Sequence, residues 1–266
     1  MEFPLTRVGI FAATRWECRA VQRTLRVDEI RRHAKSRYVI GQRGACHVVL
    51  VQTGIGPQYA RAACRATFRE FALDLAVSSG LACALTPSSI GELFIGTEVI
   101  PPRSAGPAEW HPSIICDCMS ASMTLTLAQA AGLPARTGRF VSLPRIVWRA
   151  EDKRRVAADT GAVALDMESA VIGAEAAERR IPFAVIRAVS DLLDEDLPLD
   201  FNLFLTPSDW SKGVWSCLTR PSNLFGLGRM RVQMGVASKR LTLIFERVLD
   251  ELGCDRSTSH DRRMMP

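Results

Sequence analysis

The chain has 266 residues, 47% of them hydrophobic and 23% charged, which suits one large α/β domain or two small ones and excludes a disordered or collagen-like chain. Its formal charge of +6 is local. Between Ser211 and Arg247 seven basic residues (Lys212, Arg220, Arg229, Arg231, Lys239, Arg240, Arg247) face one acid, Glu246, a net of +6, so the rest of the chain is neutral on balance.

In chain order, Leu5 to Ala12 reads as a buried strand. Its apolar run meets Arg15, Glu17 and Arg19 too soon for a secretory signal. Arg15 to Leu25 reads as a helix, and Tyr38 to Gly41 and His47 to Gln52 as two strands joined by a turn at Arg43-Gly44. The glycine-rich loop Thr53-Gly54-Ile55-Gly56-Pro57 opens a helix from Gln58 to Phe71. Asp74 to Ser78 is expected as a short buried strand, followed by a loop of small residues from Ser79 to Leu85. Gly91 to Ile100 is a strand, Ser120 to Ala131 a helix, Thr137 to Ser142 a strand, and Asp152 to Thr160 a helix closed by Gly161. Val163 to Leu165 leads through Asp166-Met167-Glu168 into a helix from Ser169 to Arg180, and Phe183 to Val189 is a buried strand ending at Ser190-Asp191.

This alternation predicts an α/β three-layer sandwich with a central, mostly parallel mixed sheet. Such sheets bind ligands beyond the carboxyl ends of their strands. The catalytic domain is expected over residues 1–205, and a basic, amphipathic helical extension over 206–266. Eight scattered cysteines without a CxxC pair read as reduced thiols of a cytoplasmic protein, and neither a metal site nor an organic cofactor is implied. No run of ~18 apolar residues predicts a membrane-spanning helix.

Three acids follow strands: Glu17, Glu168 and Asp191. In a parallel sheet such positions converge on one rim. Each also has an ordinary use, as a cap, a helix-terminal acid or a solvated helix residue. Together they suit cleavage of an N-glycosidic bond. A purine leaves readily once N7 is protonated, the sugar turns cationic, and a nucleophile must meet the anomeric carbon.

The run Val8 to Glu17 resembles the opening of the 5′-methylthioadenosine/S-adenosylhomocysteine nucleosidases, in the nucleoside phosphorylase superfamily, and Val49 to Gly56 resembles their second signature. Asp166-Met167-Glu168-Ser169-Ala170 is similar to their V-E-M-E-A motif, and Pro182 to Asp191 to their P-F-V-V-V-R-A-I-S-D segment. The resemblance spans about residues 5–205. It implies that Asp191 is the general acid at N7 with Ser190 beside it. Glu168 would bind the ribose hydroxyls, Met167 would pack on the sugar, and Glu17 would orient the attacking water. Arg187 would lie near that water and the ribose-side carboxylates, and Ser79 and Gly80 would belong to the substrate loop. Inorganic phosphate is the alternative co-substrate, and Glu17 favours water because a carboxylate repels phosphate.

The chain departs from the family at Leu81, Cys83 and Ala84, where a serine and two glycines are usual, at Asp166, one methylene shorter than glutamate, and over Leu143 to Val147, the usual adenine-stacking segment. Fewer glycines leave less backbone freedom near the nucleophile.

The C-terminal region mixes Trp210, Val214, Trp215, Leu218, Leu224, Phe225, Leu227, Met230, Val232 and Met234 with its cations. Leu241, Leu243, Ile244, Phe245, Val248 and Leu249 then form a helical stripe. Two readings stand: a helix packed on the domain with a solvated basic face, and an interfacial helix on anionic lipid. The tail also resembles the hopanoid-associated phosphorylase branch, which implies a lipid-linked nucleoside such as adenosylhopane and a peripheral contact with the inner membrane surface. The expected partners are a small-molecule or lipid-linked purine nucleoside, adenine-bearing, and a second copy of the chain in a homodimer. Nucleic acid is not expected, since no binding motif accompanies the charge. The alternatives are a 5′-methylthioadenosine/S-adenosylhomocysteine nucleosidase of methionine salvage and a non-catalytic nucleoside-binding or membrane-surface protein.

Overall fold

The computed structural model describes residues 7–33, 35–102, 112–204 and 221–254, the last with side chains from 225 onward. Trp210, Lys212, Val214, Trp215, Cys217, Leu218, Arg220 and the side chain of Leu224 lie outside that description.

The chain opens with β1 (Arg7–Ala12), α1 (Arg15–Gln22), β2 (Arg26–His33), β3 (Ser36–Arg43), β4 (Cys46–Gln52) and α2 (Pro57–Glu70). Next come β5 (Leu75–Ala84), β6 (Leu93–Ile100), β7 (Ile114–Ile115), α3 (Cys118–Ala130), β8 (Ala135–Ser142) and α4 (Ala150–Thr160). The last elements are β9 (Ala164–Asp166), α5 (Ser169–Ala177), β10 (Phe183–Asp191), a 3₁₀ turn (Phe201–Phe204) and α6 (Pro221–Cys254).

The sheet is mixed, as expected. Strand β1 lies parallel between β4 and β5, and β5 runs parallel to β10. Beyond this the ladder closes on itself: β10 pairs with β6, β6 with β8, β8 with β9, and β9 with β5. Strands β1, β4, β3 and β2 extend outward from that ring.

Strand alternation sorts side chains to two faces. Val8, Ile10, Val48, Leu50, Ala184 and Ile186 pack with α1, α3 and α6, while Phe11, Val49, Val51, Phe183 and Val185 pack with α2 and α5. This gives the helix–sheet–helix layering.

One local expectation is corrected, and one strand is new. Ser79 to Ala84 is not a loop: β5 continues to Ala84, paired with β10 on one edge and with β9 at Cys83 and Ala84. Small side chains here fit a strand hemmed in on both edges. Strand β2, Arg-Val-Asp-Glu-Ile-Arg-Arg-His, carried no period-2 apolar signal, because it is a largely exposed edge strand paired within the sheet to β3.

Helix α6 belongs to the main core. Ala237, Leu241, Ile244, Phe245, Val248 and Leu249 are buried in the same cluster as β1, β4 and β10. Its outward stripe holds Phe225, Val232, Val236 and Leu243 together with Lys239 and Arg247.

Candidate active site

A cavity of about 330 Å³ opens at the carboxyl ends of β1, β5 and β10. Glu17, Met167, Glu168, Arg187, Ser190 and Asp191 all line it. Glu17 and Asp191 meet because the parallel strands β1 and β10 end on one rim, and Glu168 arrives there from β9, which runs antiparallel to β5.

Glu17 is fixed twice. Thr14 caps α1, and the Glu17 carboxylate reaches back to accept hydrogen bonds from Thr14 N at 2.7 Å and Thr14 Oγ1 at 2.8 Å, a capping box. Its other oxygen accepts from Leu81 N at 2.8 Å. A local helix signal thus also delivers a carboxylate to the cavity wall.

Gly80 makes this approach feasible. Its φ is +152°, and a Cβ there would collide with Glu17 Oε1 and with Arg187 Nη1. Ser79 is fully buried in β5 with Oγ unpaired among the described residues. Neither Ser79 nor Gly80 is on the cavity wall; they sit in the strand behind Glu17 and Arg187.

Arg187 on β10 is buried and reaches toward Asp166 and Glu168. Nε lies 2.7 Å from Asp166 Oδ2, Nη2 donates to Ser78 Oγ at 2.9 Å, and Nη1 donates to Leu81 O at 3.0 Å. Asp166 also accepts from the hydroxyls of Ser142 and Ser169. Its shorter side chain is therefore committed to the protein.

Glu168 is buried, and Oε1 accepts from Gly56 N at 2.7 Å. Gly56, at φ +100°, precedes the first turn of α2. The anion at that helix N-terminus is thus the protein's own carboxylate. Arg187 Nη2 is 3.8 Å from Glu168 Oε2. Burial pushes the Glu168 carboxyl up to about 7; Asp166 and Glu17 add to this, while Arg187 and the Gly56 N–H oppose it.

Asp191 ends β10. Ser190 Oγ is 2.9 Å from Oδ1, and Lys153 Nζ donates to Oδ2 at 2.8 Å. Lys153 was missed by sequence reasoning. In Glu-Asp-Lys-Arg-Arg it reads as a solvated helix residue, yet it is fully buried. Ile146, Val147, Leu197, Phe201, Phe204, Met230 and Met234 complete a largely apolar wall. Arg15 is exposed on α1 and does not line the cavity. Among the described residues no cluster could hold a metal ion, and no helix is long and apolar enough to cross a membrane.

Comparison with known proteins identifies the fold and the superfamily. A 5′-methylthioadenosine/S-adenosylhomocysteine nucleosidase of Colwellia psychrerythraea is 26% identical over 216 residues, covering 75% of this chain and 89% of the relative. The fold matches a nucleosidase of the same description from Helicobacter pylori with a TM-score of 0.74 at 16% identity, covering 94% of this chain and 100% of that one. It also matches the futalosine hydrolase of Helicobacter pylori, with a TM-score of 0.67 at 17% identity, covering 86% and 98%. The sequence profile of the phosphorylase superfamily matches residues 7–207, so the chain belongs to that superfamily.

Proposed function

We propose that this glycosidic-bond-cleaving enzyme hydrolyses an adenine nucleoside that carries an apolar 5′ substituent. The carrying observation is that Glu17, Glu168 and Asp191 share one cavity with Arg187. Asp191 donates a proton to N7 as the C1′–N9 bonding pair moves into the purine. Glu168 accepts hydrogen bonds from the ribose hydroxyls, and Met167 packs on the sugar. Glu17 orients water and takes its proton as oxygen bonds to C1′. The products are adenine and the 5′-substituted ribose.

Water is favoured over phosphate by charge and space. The Glu17 carboxylate takes up the N–H groups of Thr14 and Leu81, donors an incoming anion would need. A phosphate would also meet two carboxylates, Glu17 and Glu168, at close quarters. Phe201, Phe204, Met230 and Met234 offer an apolar surface to the 5′ group.

A second reading, a lipid-linked nucleoside, is favoured by the outward stripe of α6. Phe225 is 85% and Val232 67% exposed beside basic residues, which suits a peripheral membrane contact. The same helix carries Met230 and Met234 to the cavity.

The test is adenine release from 5′-methylthioadenosine and from a 5′-alkyl homologue, with and without phosphate. Equal rates without phosphate are expected, together with at least a ~10²-fold loss in Asp191→Asn. Release that requires phosphate, or an unimpaired D191N, overturns the reading.

A further inference from the structure

Lys153 stands on α4, outside the cavity wall, with none of its side chain exposed. A lysine so buried needs partners for all three N–H groups. It finds three acceptors: Asp191 Oδ2 at 2.8 Å, Leu192 O at 2.9 Å and Glu195 O at 2.8 Å. The two carbonyls belong to the segment leaving β10 directly after the acid. Burial opposes the ammonium, but Asp191 and the neighbouring Cys83 and Glu195 favour it, and its pKa rises above the ordinary lysine value. The group is therefore a cation at neutral pH.

We propose that Lys153 is the positioning residue of the acid. This rests on the reading of Asp191 given above. Lysine occupies Oδ2, so Oδ1, beside the Ser190 hydroxyl, is the oxygen presented to the base. The proton that Oδ1 delivers to N7 is first taken up from solvent, and once N7 holds it Asp191 returns to the carboxylate that the ammonium at 2.8 Å pairs with. No proton leaves Lys153, whose three donors stay satisfied throughout.

The same clamp joins the acid to α6. Glu195, held through its carbonyl by Lys153, uses its carboxylate to bind Arg229 and Gln233 of that helix. Met230 and Met234, from the same turns, line the cavity. The base-side acid and the apolar wall are thus tied together through one buried lysine.

The experiment uses the full chain with 5′-methylthioadenosine as probe, following kcat and KM separately. Lys153→Met removes both charge and clamp. Lys153→Gln removes the charge but keeps two N–H donors for the carbonyls of Leu192 and Glu195, and it decides the matter if K153M does not fold. We expect kcat to fall at least tenfold in K153Q while KM changes less than threefold, because the lysine does not touch substrate. Lys153→Arg, which keeps the charge, should recover part of kcat. A folded K153Q with the parent kcat, or a K153R no better than K153Q, overturns the proposal. D191N separates the two ideas. An active D191N removes the acid itself, whereas an impaired D191N beside an unimpaired K153Q removes only the role of the lysine.

Discussion

If Glu168 holds the ribose as proposed, its raised pKa moves the pH dependence of nucleoside affinity up to neutrality, where an ordinary exposed carboxylate is fully ionised and confers none. Its carboxyl is pushed up to about 7, chiefly by burial. Ribose hydroxyls are best held by the ionised form, which accepts from both. Binding therefore selects the carboxylate and releases a proton from free protein that holds one below pH 7. The apparent Kd is the intrinsic Kd divided by the ionised fraction. That fraction is about 0.9 at pH 8, half at pH 7 and about 0.1 at pH 6, so Kd should rise roughly tenfold from pH 8 to pH 6. A C-nucleoside, whose glycosidic bond cannot break, allows this to be measured by titration calorimetry. Runs in buffers of different ionisation enthalpy should report release of about half a proton per site at pH 7. Glu168→Gln should bind more weakly at pH 8 and lose the pH dependence. A Kd that is flat from pH 6 to pH 8, with no proton released, refutes the assignment of Glu168 to the ribose.

Three further outcomes follow from the packing. Gly80→Ala places a methyl against Glu17 and Arg187; kcat should drop by about 10² while the fold persists by circular dichroism, and unchanged kcat would mean that this approach is not needed. Phe245→Ala removes a fully buried ring of α6 from the core and should cost about 3–5 kcal/mol in urea unfolding; a loss below about 1 kcal/mol would show that α6 is not part of the cooperative unit. Val232→Glu with Leu243→Glu, at outward positions 67% and 44% exposed, should leave Tm within a few degrees yet reduce cosedimentation with anionic vesicles. Unchanged sedimentation removes the membrane contact.

The sequence carried the alternating elements because burial enforces periodicity. Strands β1, β4 and β10 and helices α2, α4 and α5 were legible from apolar runs, glycine stops and capping residues. The motif acids were legible because each follows a strand; the parallel ends of β1 and β10 account for Glu17 and Asp191, while Glu168 follows β9, antiparallel to β5. The edge strand β2 was not, since a strand exposed to water needs no apolar alternation. The length of β5 was hidden too, because small residues read as a loop until two neighbouring strands are seen to flank them. What tertiary structure alone decided is pairing across distance. Lys153 is an ordinary helix lysine in sequence, and only the fold sets it under Asp191. The resemblance singles out Arg187, but only the fold supplies its partners Asp166, Ser78 and Leu81. Helix α6 reads as an appendage by charge, yet Phe245 and Leu241 lie at 0% exposure against the sheet. Local patterning reports how a segment meets water, while which buried charge meets which is fixed by the closure of the sheet.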